Sequence, residues 1–229
     1  EIMQNNGIYC HLVTDHSHYF EDGGATYHNR YSTWEGFRGQ EGDRWIPRKA
    51  GENHPQQNSL NKTGISVDQH FANRTKQCTE ETMSSVQTIQ AGLEFLEAYR
   101  TEDNWFLQIE CFDPHEPFFV PEKYRELYQD QPTDQPYFWP KYGRITEDIT
   151  ENDLTGVQKE YASLISMCDK HLGKLLDYLD ENNMWEDTLI IINTDHGFLL
   201  GEHDWLGKNV APMYEEIIHL PFFISAPDS

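Results

Sequence analysis

Residues 190 to 208, IIINTDHGFLLGEHDWLGK, carry an apolar run straight into Asp195-His196-Gly197, followed shortly by Glu202, His203, Asp204 and Lys208. A carboxylate beside an imidazole is a sensible partial ligand set for a divalent cation, and neither group needs an unusual pKa to bind one. Adjacent side chains point to opposite faces of an extended strand, but a turn at Gly197 would let Asp195 and His196 converge. The plainer alternative is a strand-ending turn in which Asp195 accepts backbone N–H bonds. Lys208 follows Gly207 and is by default a surface lysine; at a strand end it would instead set positive charge beside an anionic substrate. Glu202 and His203 suit structural and catalytic roles equally.

Two further places gather such side chains. His115 stands in Asp113-Pro114-His115-Glu116-Pro117, where two prolines stiffen the loop and hold the imidazole. That suits a proton donor or anion ligand near neutral pH, with an ordinary surface-loop histidine as the alternative. His16 and His18, in VTDHSHYF, would point apart on a strand but converge on a loop, where they make a weak candidate for a two-histidine metal pair.

The elements that must position these residues follow from periodicity. After a turn at Asn6-Gly7, a strand is expected from Tyr9 to Val13, and another from Trp105 to Phe112. The run TLIIINT, apolar on both faces, predicts a strand in a sheet covered by helices, and LPFFISAP predicts a last strand. Met83, Val86, Ile89, Leu93, Leu96 and Tyr99 recur at helical spacing, predicting a helix from Glu80 to about Arg100. A second helix is expected after Thr150, a plausible N-cap with Glu151 and Asp153 in the first turn. Its apolar stripe runs from Leu154 through Val157, Tyr161, Leu164, Ile165 and Cys168 to Leu179. Between Glu21 and Asn73 the periodicity is weak, which predicts long irregular connections, and DPHEPFFVPEKY reads as a Pro-punctuated loop.

Helices alternating with buried strands indicate an α/β fold with a mainly parallel sheet flanked by helices. Such sheets place ligands beyond the carboxyl ends of their strands, and all three polar segments follow predicted strands. Trp34, Arg38, Arg44 and Trp45 are candidates for lining a sugar or aryl pocket, with core-covering or exposed roles as the alternative.

The 229 residues carry a formal net charge of −22. Nucleic acid and anionic membrane surfaces are polyanions, so neither is an expected partner. Any attraction for an anionic substrate must be local, from a metal or a few Lys and His side chains. No apolar run approaches the roughly 20 residues needed to cross a bilayer, and EIMQNNGIYC lacks the basic start and apolar core of a secretory signal. Both ends look cut from a longer polypeptide. The four cysteines show no short-spaced pair, and Cys111 and Cys168 are expected as buried reduced thiols.

Taken together, YASLISMCDKHLGKLLDYLDENNMWEDTLIIINTDHGFLLGEHDWLGK, the following MYEEIIHLPFFISAP, and DPHEPFFVPEKY resemble the sulfatase family of the alkaline phosphatase superfamily. The shared pattern is Gly-Lys-Leu-Leu on a helix, Thr-Asp-His-Gly, Leu-Gly-Glu-His, Gly-Lys and Tyr-Glu-Glu, with a Pro-His-x-Pro-Phe loop. The resemblance implies a hydrolase acting on small-molecule or carbohydrate sulfate esters with a divalent metal. Asp195 and His196 would be metal ligands. The family metal is usually calcium; His rather than Asn at the second position also suits manganese or zinc. His115 would hydrogen-bond the ester and protonate the leaving oxygen, and Lys208 would bind the sulfate oxygens. His18 falls on the His of the family's Gly-Lys-x-His, so His16 stands where a Lys is usual.

The family's nucleophile, a formylglycine made from the first residue of Cys-or-Ser-x-Pro-x-Arg, has no counterpart here: none of the four cysteines is followed by x-Pro-x-Arg. The expectation is a piece of one sulfatase α/β domain, residues 1–229, that starts after the nucleophile motif, ends before the C-terminal region and is inactive alone. A phosphodiesterase or phosphonate monoester hydrolase shares the same plan, and a non-catalytic binding remnant is the alternative of another class.

Overall fold

A computed structural model of the chain describes residues 1–24, 26–48, 60–128 and 137–227. They fall into two compact units, one within Glu1–Pro55 and Thr63–Pro117, the other within Gln56–Lys62 and Phe118–Ser229.

The first unit contains β1 (Tyr9–Thr14), β2 (Thr33–Gly36), α1 (Ile65–Arg74), α2 (Ser84–Ala98) and β3 (Trp105–Glu110). β1 lies between the other two strands and parallel to both, with Thr14 opposite Gly36 on one side and Glu110 on the other. Its Leu12 and Val13 are buried. α2 packs on β1 and β3 at Gly92, where an added Cβ would lie 2.4 Å from the Ile109 side chain. Phe95, one turn on, stacks on His11 at 4.9 Å. The helix expected from Glu80 begins instead as a 3-10 turn, Glu80–Thr82, under a Thr79 capping box, and becomes α-helical at Ser84.

β2 and α1 fall where irregular connections are expected. β2 is four largely exposed residues with no apolar alternation. α1 buries Gln69, His70, Asn73 and Arg74 beside Val67 and Ala72, so its inward face is mostly polar and leaves no hydrophobic period to detect.

The second unit contains β4 (Gly143–Arg144), α3 (Glu151–Glu181), β5 (Ile190–Asn193), β6 (Leu199–Leu200), β7 (Trp205–Gly207) and β8 (Phe222–Ser225). α3 starts as expected: Thr150 Oγ1 accepts from the Asp153 N–H at 3.3 Å, and the Asp153 carboxylate accepts from the Thr150 N–H at 2.8 Å. Its buried face holds Val157, Leu164, Met167 and Leu179 together with Glu160 and His171, while Ile165 faces solvent. The stripe is therefore rotated from the apolar count, because Glu160 can be buried against Arg125 Nε at 2.8 Å.

β5 departs from expectation more clearly. It pairs antiparallel with β8 in a two-stranded ribbon, and Ile191 is 49% exposed. An apolar run records what a strand is made of, while its pairing partner and its cover are set by distant parts of the chain. The thiols also differ: Cys10 is the buried one, Cys111 and Cys168 are half-buried, and all four are free. Among the described residues, no helix is long and apolar enough to cross a membrane.

Candidate active site

In the first unit, β1 hands the chain to buried Asp15 and a 3-10 turn, Ser17–Phe20, that carries His18. β3, its parallel neighbour, leads into Phe112 to Pro117, with cis peptide bonds before Pro114 and Pro117. Both segments leave the same end of the sheet, so His16, His18 and His115 gather there as the strand-end rule requires. The Phe112 ring is the hub: His115 lies 4.1 Å from it and His16 5.5 Å, centroid to centroid.

Beneath the histidines, two buried carboxyls tie the loops together. One Gln40 amide nitrogen donates to Asp15 Oδ2 at 2.8 Å and to Asp113 Oδ1 at 3.1 Å. Asp15 Oδ1 also accepts the Phe112 N–H at 2.7 Å, and Asp113 accepts the Ser85 hydroxyl. Burial, and then the neighbouring Asp113 charge, pushes the Asp15 carboxyl up to about 7. Burial raises Asp113 as well, against the opposing Ser85 hydrogen bond and the Arg74 charge. Two carboxyls this close and dry resist carrying two charges at once. Arg74 is buried with them and lowered to about 10 by that burial.

His115 and His18 turn their rings toward carboxylates. His115 Nδ1 is 2.5 Å from the Glu116 carbonyl, 3.3 Å from Glu116 Oε2 and 4.0 Å from Glu41 Oε1. His18 Nε2 is 3.1 Å from Glu41 Oε2, and its Nδ1 is 3.1 Å from Glu21 Oε2. His16 and His18 do not converge on one point: their rings meet edge to face at 5.2 Å. Glu41 and Glu116 belong to this cluster, and sequence reasoning assigned neither a role. The only signal was position, Glu116 beside His115 and Glu41 in a glycine-flanked loop. Arg38, a pocket candidate, is engaged by Asp43 through two hydrogen bonds at 2.7 and 2.6 Å.

In the second unit, β5 ends at Asn193 and the chain turns at Asp195 and His196. Asp195 Oδ1 accepts the His196 N–H at 2.9 Å, the strand-ending turn, while Oδ2 stays 3.5 Å from His196 Nε2. His196 Nδ1 lies 3.0 Å from the Gly197 carbonyl, which makes Nδ1 the protonated nitrogen and leaves Nε2 an acceptor for Lys208 Nζ at 3.3 Å. Gly197 is required: its N–H donates to the Ile217 carbonyl at 2.9 Å, and an added Cβ would meet the Glu216 carbonyl oxygen at 1.8 Å.

The segment from Leu199 to Lys208 is a hairpin that delivers the lysine. β6 and β7 pair antiparallel, Leu200 opposite Leu206. The turn between them uses Gly201, His203 and Asp204 at φ of 124°, 55° and 60°. Glu202 accepts the Leu200 N–H at 2.6 Å. His203 stacks on Tyr214 at 3.9 Å, with Nε2 at 3.1 Å from Glu216. Glu202 and His203 therefore hold the hairpin, and Lys208, immediately after β7, is 7% exposed rather than a surface lysine.

Asp195 Oδ2 and His196 Nε2 stand 3.5 Å apart, close to the roughly 3.4 Å between neighbouring ligands bonded to a cation at about 2.1 to 2.4 Å; a cation held there would take the Nε2 lone pair that now accepts from Lys208.

The family model described as Sulfatase matches residues 1–229. A choline-sulfatase from Rhizobium meliloti is 28% identical over 143 residues, 54% of this chain and 27% of that protein. An arylsulfatase from Clostridium perfringens is 24% identical over 151 residues, 61% of this chain and 31% of that protein. The chain thus spans less than a third of the length of these curated relatives. Among solved structures, a phosphonate monoester hydrolase from Silicibacter pomeroyi superposes with a TM-score of 0.61 at 17% identity, covering 99% of this chain and 52% of its own.

Proposed function

The chain belongs to the sulfatase family, and from that premise we propose that the protein carrying it hydrolyses sulfate esters of small molecules or carbohydrates. The observation that carries the reading is Lys208, 7% exposed, with its ammonium 3.3 Å from His196 Nε2. A buried positive charge is a costly feature, and beside Asp195 and His196 it supplies the local attraction for an anion that a net charge of −22 otherwise opposes.

In this reading Lys208 holds sulfate oxygens and offsets charge that develops on them. His115 hydrogen-bonds the ester and protonates the departing oxygen; its Nδ1 faces Glu116 and Glu41, so Nε2 is the nitrogen for that task. At the strand ends beside His115, His16 adds a donor for the anion, and His18, its ring held between Glu21 and Glu41, is the catalytic histidine that the family pattern implies. Asp195 and His196 hold a divalent cation, calcium by family habit or manganese or zinc given the imidazole. A cation held by these two residues would supply charge stabilisation when bound. The nucleophile is a formylglycine outside residues 1–229.

The test compares turnover by the protein carrying this chain on an aryl sulfate, an aryl phosphodiester and an aryl phosphonate monoester, each with calcium, manganese and zinc. A preference for the sulfate supports the reading. A preference for either phosphorus ester would assign the protein to the phosphonate monoester hydrolase type of chemistry, and no turnover of any would leave the binding-remnant reading.

A further inference from the structure

We propose that Asp15, Gln40 and Asp113 form a clamp in which two buried carboxyls hold one proton between them, and that this clamp positions His16, His18 and His115 for the reaction proposed above. The loops that carry the three residues leave three adjacent parallel strands: Asp15 follows β1, Gln40 follows β2 and Asp113 follows β3. All three are buried, so they act on the ester through the histidines rather than by contact.

The Gln40 amide nitrogen is the joint. It donates to Asp15 Oδ2 at 2.8 Å and to Asp113 Oδ1 at 3.1 Å, which uses both of its hydrogens. The Gln40 loop is held in turn from α1, where Arg74 Nη2 donates to the Gly39 carbonyl and Asn73 Nδ2 to the Asp43 carbonyl, each at 2.8 Å. Asp15 Oδ1 takes the Phe112 N–H at 2.7 Å, fastening the loop after β1 directly to the loop after β3. His16 is the next residue after Asp15 and His115 is two after Asp113, so a shift of either carboxyl reaches an imidazole within two residues.

The proton follows from a charge count. From α1 the charge facing the pair is that of Arg74, α2 offers the Ser85 hydroxyl, and the loop after β2 offers an amide; His16, next along the chain, turns its ring to Phe112. One guanidinium neutralises one carboxylate, and a second buried charge would stand unpaired. The pair therefore keeps one proton. Burial and the Asp113 charge push Asp15 up to about 7, so that proton leaves above neutrality. Two anions on one donor then repel, and the loops they fasten lose their register.

Infrared spectra of the protein carrying this chain, wild type and Asp15→Asn, are recorded as pH is raised, with circular dichroism checking each fold. At about pH 6, where ordinary carboxyls titrating at roughly 4 are ionised, wild type is expected to show the carbonyl stretch of a protonated carboxyl, shifted in D2O and lost as pH passes about 7. The difference from Asp15→Asn isolates the pair from Glu160, whose carboxyl burial also raises. No such band in wild type, or the same band in the variant, would overturn the shared proton. Positioning is read on whichever ester the protein turns over best. Gln40→Ala, which leaves both carboxyls in place, is expected to lower kcat by about 10- to 100-fold with KM little changed. Asp113→Asn, which keeps an acceptor for the Gln40 amide, is expected to recover most of the loss seen in Asp113→Ala. An unchanged kcat in folded Gln40→Ala, or equal losses in the two Asp113 variants, would overturn the positioning role. The inference rests on the hydrolase reading for its consequence, but the infrared arm needs no substrate, so the two fail separately.

Discussion

Lys208 and Asp15 are both buried, unusual surroundings for charged side chains, and each carries a prediction. Asp15 is buried, and its carboxyl is pushed up to about 7 from an ordinary 3.8. The folded chain holds that proton more tightly than the unfolded one, so the stability it contributes is fully present below about pH 3.8 and is lost as pH rises through 7. Denaturation midpoints of wild type and Asp15→Asn between pH 4 and 8 should therefore converge or cross as wild type loses stability relative to the variant; parallel curves would show that Asp15 titrates normally. At Asp195, substitution by Ala removes the carboxylate of the proposed ligand pair, and calcium or manganese affinity should fall at least about tenfold by calorimetry; unchanged affinity sinks the ligand assignment. At this scale the strand-end placement of Asp195, His196 and His115 was legible in the sequence because each follows an apolar run, whereas Lys208 reads there as a surface lysine and only the family resemblance marks it. Asp15 was read only as part of a polar segment, since burial of an aspartate depends on Gln40 and Asp113, remote in sequence.

At the scale of elements, position depends on a few backbone requirements. Gly197 lets the turn after β5 pass within contact of the Glu216 carbonyl, which an added Cβ would meet at 1.8 Å. Gly197→Ala must displace one segment or the other, at a cost of about 1 to 3 kcal/mol, and with it the Asp195–His196 pair. The expected outcome is a lower thermal midpoint together with weaker metal binding, and an unchanged midpoint would contradict the close approach. Thr150 caps α3 by accepting the Asp153 N–H, so Thr150→Ala should cost about 1 kcal/mol in denaturant titration; a loss near zero would mean the cap is redundant. α3, the strand-end loops and β1 were legible because caps, apolar periods and prolines are local signals. α1 was not, because it buries Gln69, His70, Asn73 and Arg74, and the exposed side of β5 was not, because nothing local says that its partner is antiparallel β8.

The whole molecule sets the field in which the site works. A net charge of −22 on 229 residues repels itself, and salt shortens the reach of that repulsion from about 30 Å at 0.01 M to about 8 Å at 0.15 M. Raising sodium chloride across that range should raise the thermal midpoint; a fall would mean that specific ion pairs outweigh the global repulsion. In the proposed function the same field makes anion capture depend on few cations, and of His16, His18, His115, His196 and Lys208 it is Lys208 that is buried. Family membership was legible in the order of motifs along the chain, whereas the role of the Leu-Gly-Glu-His stretch as a hairpin delivering Lys208 required the pairing of β6 with β7. The most direct test of the account is kcat/KM for an aryl sulfate in the protein carrying this chain, wild type against Lys208→Ala, with the fold of both checked by circular dichroism. The account predicts a loss of about 10²- to 10³-fold, as for removal of a group that stabilises developing negative charge. An unchanged kcat/KM in a folded variant would contradict it.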